Sequence, residues 1–161
     1  MKKTIAKWAA CLCMLALVVG VMAGCAQTNQ INSEQQANRT YMSQVNEIMD
    51  QLNKELDSFV DAVSRGDIVN MRTQADNAYK TLDKLSTLEA PEALADVQEC
   101  YVEGTAKMRE ALDAYISLYT ELDAGSFDQS TYTKRIAEVQ ELYDEGVVAL
   151  KKGDETAASK Q

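Results

Sequence analysis

Apolar side chains recur every three or four residues through nearly all of residues 33–150, and three breakers, Gly66, Pro91 and Gly125, divide the run. That period selects helices over strands, because one helical face returns at i+3 and i+4 while one strand face returns at i+2. The first stripe is Tyr41, Val45, Ile48, Leu52, Leu56, Phe59 and Val63, at spacings of 4, 3, 4, 4, 3 and 4. The second is Ile68, Met71, Ala75, Ala78, Tyr79, Leu82 and Leu85. The third is Leu94, Val97, Tyr101, Thr105, Met108, Leu112, Tyr115, Tyr119 and Leu122. The fourth is Tyr132, Ile136, Val139, Leu142, Tyr143, Gly146, Ala149 and Leu150. One Pro in the whole chain, with Leu, Ala, Glu, Lys, Gln and Met dominant, fits a helical chain and gives no sheet signal.

The punctuation sets the boundaries. Ser33 suits the N-cap of the first helix, Gly66 its left-handed C′ position, and Asp67 the cap of the next. Arg65-Gly66-Asp67 is also the tripeptide that integrin ligands display, but here it stands where a helical hairpin needs a glycine and a cap. Pro91 stops the second helix and suits the first position of the third. That third helix is expected from Pro91 to Ala124, roughly 50 Å long. Asp128 or Ser130 caps the fourth, Lys151 and Lys152 complement its C-terminal dipole, and Gly153 is expected to end it. Short connections make successive helices antiparallel. The expected fold is all-α, an up-down-up-down four-helix bundle over 33–153 with shallow, coiled-coil-like crossing, then a disordered tail at 154–161. The breakers argue against one long coiled coil.

The N-terminus carries a different signal. Lys2, Lys3 and Lys7 precede an apolar run from Trp8 to Val21, too short to span a bilayer comfortably. It ends in Val21-Met22-Ala23-Gly24-Cys25. Small residues directly before a Cys at the end of such a run resemble the lipobox of bacterial lipoproteins, with Met22 where Leu is commonest. The resemblance covers residues 1–25. It implies a signal peptide over 1–24, cleavage between Gly24 and Cys25, and a lipidated Cys25 attached to the membrane through diacylglyceryl and palmitate-type acyl chains. It further implies an extracytoplasmic location and, over 25–32, a polar flexible tether. An ordinary secretory signal and an uncleaved anchor are the alternatives.

Charge and cysteine usage follow the same division. All 25 acidic residues lie beyond the cut, and three of the 16 basic ones lie before it, so the net charge falls from −9 to −12. An acidic surface of this size repels nucleic acid and anionic lipid. No nucleic-acid partner is therefore expected, and the tether would hold the bundle off the membrane. Cys11 and Cys13 lie in the signal and Cys25 is committed to lipid, so Cys100 has no intrachain partner. It reads as a small core residue.

The chain has no His, which excludes Ser-His-Asp and Cys-His catalysis and His-ligated zinc. Acids such as Asp113 and Asp123 lack matched partners, and no phosphate loop, calcium loop, Gly-x-Ser-x-Gly or Cys-x-x-Cys motif follows the signal. No enzymatic activity, cofactor or metal is expected.

Two places could form a surface or pocket. Gly104 and Gly146 each cost roughly 1 kcal/mol relative to Ala inside a helix, so something must require them. Folding the third and fourth helices about residue 126 sets Gly104 opposite about Val148, within a turn of Gly146. The same register brings Ala75 to this level, beside Met108, Tyr79 and Tyr101. Either the helices pack closely there, the preferred reading, or a cavity opens. The second place is aromatic: the chain has seven Tyr against two Phe. Folding the second and third helices about residue 89 or 90 sets Gly66 level with about Asp113, so the hairpin of the third and fourth helices is expected to project. Tyr115, Tyr119, Leu122, Phe127 and Tyr132 would then form an exposed contact surface. The expected function is a non-enzymatic, membrane-anchored lipoprotein whose bundle binds another envelope protein. A small-molecule binder with its ligand between the helices, and a structural spacer, are the alternatives.

Overall fold

The computed structural model describes residues 33–125 and 128–160. The signal-like segment, Gly24 and Cys25, the tether and Phe127 lie outside the described residues. The described chain is an all-α bundle of four helices: α1 (Ser33–Arg65), α2 (Ile68–Ser86), α3 (Ala95–Asp123) and α4 (Gln129–Ser159), with a 3-10 turn, Glu92–Leu94, before α3. Successive helices run antiparallel. None of them is long and apolar enough to cross a membrane.

Local chemistry makes two tight turns where the sequence placed them. Gly66 adopts φ 67° and Gly125 φ 73°, both in the left-handed region open to glycine. At the first turn Asp67 N–H donates to the Ala62 carbonyl and Gly66 N–H to that of Val63, each at 3.0 Å, closing the end of α1 as a Schellman motif. The Asp67 carboxylate then accepts from Asn70 N–H at 3.1 Å and caps α2. That hydrogen bond holds the Asp67 carboxyl below its ordinary range. Asp128 caps α4 in the same way, accepting from Ser130 N–H and Thr131 N–H at 2.9 Å each.

The connection between α2 and α3 is not tight, and this corrects the expected start of α3. Pro91 does not open the helix. Its ψ of 151° keeps the chain extended, the 3-10 turn follows, and the α-helix begins at Ala95. Gln98 fastens the junction. Its Nε2 donates to the carbonyls of Leu85 at 3.1 Å and Ser86 at 3.0 Å, satisfying the end of α2, and its Oε1 accepts from the Tyr41 hydroxyl.

Because the chain runs on past the end of α2 before turning back, α3 is displaced along the bundle. Tyr79 of α2 stands level with Asp113, to which its hydroxyl donates, and Arg72 reaches Thr120 at 3.2 Å. The turn at Gly66 is thereby carried to the α3–α4 end, where a Cβ on Gly66 would lie 3.4 Å from the Tyr119 hydroxyl. The expected projecting hairpin is absent. Tyr115, Tyr119 and Tyr132 are half-buried, Leu118 is buried, and Leu122, at 38 % exposed, and Val69, at 76 %, are the large apolar side chains left open at that end among the described residues.

The C-terminal end also differs from expectation. Gly153 does not stop α4, which continues to Ser159, so 154–159 is helix and not a disordered tail. The physical reason is packing: a Cβ on Gly153 would come within 2.8 Å of the Tyr101 ring. Beyond it Ala157 is buried, and the Tyr101 hydroxyl donates to Asp154 at 2.7 Å. Lys160 donates to the Ala93 carbonyl at 2.8 Å and pairs with Asp96. Burial pushes the Asp154 carboxyl above its ordinary range, against the opposing pull of the Tyr101 hydrogen bond. Cys100 is a buried free thiol.

Candidate functional site

The glycine layer divides in two. Its α3–α4 half forms in the expected register. A Cβ on Gly104 would stand 2.7 Å from the side chain of Leu150 and 3.1 Å from the Gly146 carbonyl, and a Cβ on Gly146 would stand 2.9 Å from Met108. Gly104, Gly146 and Gly153 are thus a seam on which α3 and α4 press together. The exposed Lys107–Glu145 ion pair, at 2.9 Å, flanks it. The α2 half does not join it. Ala75 and Tyr79 travel with the displaced register to the level of Asp113 and beyond, and Tyr101 turns instead toward Asp154. Ala75 and Tyr101 are fully buried, and the Arg109 guanidinium lies over the Tyr79 ring, 4.8 Å from its centroid.

A cavity opens elsewhere, between α1 and α4. These two helices make almost no close backbone approach, whereas α4 is bound along its length to α3 and α1 to α2. The gap left is a cavity of about 400 Å³. Its floor is α3, through Met108, Ala111, Leu112 and Tyr115. One wall is α1, through Leu56, Phe59, Val60 and Val63, and the other is α4, through Tyr132, Ile136, Val139 and Tyr143. No residue of α2 contributes.

The spacing explains why each wall is continuous. On α1 the wall residues fall at 56, 59, 60 and 63, and on α4 at 132, 136, 139 and 143, so each set lies on one helical face. Phe59 meets Tyr115 edge to face, with centroids 5.6 Å apart at 74°, which fixes one end of the floor. Burial raises the Tyr115 hydroxyl pKa, and the neighbouring Tyr132 and Tyr119 add to the effect. The polar lining groups sit at the lips: Asn53, Asp57 and Ser64 on α1, Thr133 and Gln140 on α4.

Of the tyrosines singled out from the sequence, Tyr115 and Tyr132 enter this groove; Tyr119 does not line it, and Leu122 lies outside it. Met108 is shared by groove and glycine seam. Sequence reasoning placed Leu56, Phe59, Val63, Ile136 and Val139 on the apolar stripes and passed over Asn53, Asp57, Ala137 and Gln140. A signal was present in the bulk of the two facing stripes, which carry large side chains where a close helix pair would alternate large with small. Among the described residues no three acidic or cysteine side chains gather to hold a metal ion.

Fold and groove together define an all-α bundle with an aromatic-lined apolar cleft between its first and last helices. The chain matches no protein-family model, no curated protein and no solved structure.

Proposed function

We propose that this protein is a lipid-anchored, extracytoplasmic bacterial lipoprotein whose bundle is a non-enzymatic binding module, with the α1–α4 groove as its working surface. The groove carries the proposal. Ligand sites are concave, mostly apolar and sparsely polar, and the cavity of about 400 Å³ falls in the size range of small-molecule sites. Three helices enclose it, so a small apolar ligand fits better than the face of a folded partner. Binding to another envelope protein keeps one supporting observation: Leu122, exposed beyond the groove, would extend a contact surface begun by Tyr132.

The anchor is supported by the pattern from Lys2 to Cys25. Two or more acyl chains anchor stably where one would be marginal, since each buried CH₂ contributes roughly 0.8 kcal/mol. A Cys25→Ser variant is expected to leave the membrane fraction or to accumulate unprocessed, read by fractionation and by the mass of the N-terminal peptide. Retention in the membrane at processed size would refute the anchor.

A further inference from the structure

We infer that the groove selects an amphiphile with a cationic head over one with an anionic head, and that Asp57 makes the selection. The assignment rests on the groove being the binding surface. Its interior is hydrocarbon and aromatic, and Asp57 is the one charged residue among those lining it. Asp57 is exposed at the α1 lip and makes no hydrogen bond or ion pair with any described residue, so its charge is not already neutralised. On the facing lip Asp144 adds the same sign, one turn after Gln140, whose amide donates to it at 2.9 Å, whereas Asp61, one turn after Asp57, is paired with Arg65 at 2.6 Å. No Lys or Arg lines the cavity to receive a carboxylate or phosphate.

Shape sets the tail. From Asp57 to Ser64 the α1 lip runs roughly 10 Å at 1.5 Å per residue, enough for most of a medium-chain alkyl group. Leu56, Val60 and Ile136 offer such a chain two apolar walls, and Tyr115 and Tyr132 offer it ring faces. A head group at Asp57 leaves the chain along the floor. An ammonium gains there by ion pairing, whereas a carboxylate meets repulsion without a compensating cation.

The test uses calorimetric titration of the bundle with dodecylammonium and with laurate, both below their micellar concentrations at pH 7. Dodecylammonium is expected to bind about tenfold more tightly, the scale set by attraction for one head and repulsion for the other in a largely solvated site. The preference should shrink in high salt. Asp57→Asn should bring the two affinities together, while Glu103→Gln, the same charge change at an exposed position outside the groove, should leave the preference intact. Ala137→Trp, which fills the mouth from an exposed position, should abolish binding of both without lowering the melting temperature. Equal or tighter binding of laurate, or a preference that survives Asp57→Asn, overturns the selection by charge while the groove still stands. Failure of both amphiphiles to bind, or binding that Ala137→Trp does not touch, overturns the groove itself and the selection with it.

Discussion

Replacing Gly104 with Leu is expected to lower the melting temperature by roughly 10 °C, a loss of about 3 kcal/mol. Intrinsic helix propensity predicts the opposite, a gain of about 0.8 kcal/mol for removing a mid-helix glycine. Packing decides, because even a Cβ at this position would lie 2.7 Å from Leu150 and 3.1 Å from a backbone carbonyl that cannot swing aside. The rest of a leucine side chain has nowhere to go unless α3 and α4 part, and parting them breaks the most extensive helix contact in the bundle. Gly125 supplies the contrast. A Cβ there would meet nothing within 4 Å, so Gly125→Ala carries only the strain of a left-handed φ of 73°, about 1 kcal/mol. Thermal denaturation of the two variants separates close approach from backbone strain. A Gly104→Leu protein as stable as the parent would mean that the seam is not closed.

Alkali is expected to unfold the bundle cooperatively between about pH 10 and pH 12, with tyrosine ionisation and loss of helix occurring together. Burial pushes the Tyr41 hydroxyl up to about 12. Tyr79 and Tyr101 are raised by burial first and then by the carboxylates of Asp113 and Asp154, to which they donate; burial raises Tyr115. A group whose pKa is higher folded than unfolded contributes stability that is complete below its unfolded value. That stability is lost as pH rises through the folded one. For Tyr41 the two-unit gap corresponds to roughly 3 kcal/mol. Against a typical domain stability of about 5–15 kcal/mol, the combined loss from four such groups is of the same order. Phenolate absorbance and helical ellipticity followed in one titration test this. Ionisation of these tyrosines near pH 10 with the helices intact would refute it.

The chain's local chemistry was legible, and its register only where a turn was tight. Gly66, Asp67, Gly125 and Asp128 do in the fold what their residue types predict. At Gly125 the turn is short, so counting along the helices placed Gly104 within a turn of Gly146 correctly. Between α2 and α3 the same counting failed. The segment from Thr87 to Leu94 does not reverse at once, and nothing in its residue types records how far it travels before Pro91. Tyr79, Ala75 and the expected aromatic tip were displaced by that one error. Gly153 reads as a stop because glycine ends helices, whereas its value here is the missing Cβ under Tyr101. The groove escaped for a different reason. It depends on the separation of α1 and α4, which lie far apart in sequence. That separation is set indirectly by the seam that draws α4 against α3.

The length of α1 has a mechanical meaning if Cys25 is the anchor. The lipid end of the chain leads into Ser33, at one extremity of a rigid helix, whereas the groove begins at Asn53 and lies toward the other. Twenty residues of helix separate them, a mast of roughly 30 Å, about the thickness of a bilayer's hydrocarbon core. Standing on its tether, the molecule would present the cleft to the aqueous compartment, out of reach of lipids still seated in the membrane. Its catch would be whatever amphiphile arrives through water, intercepted before it reaches the bilayer.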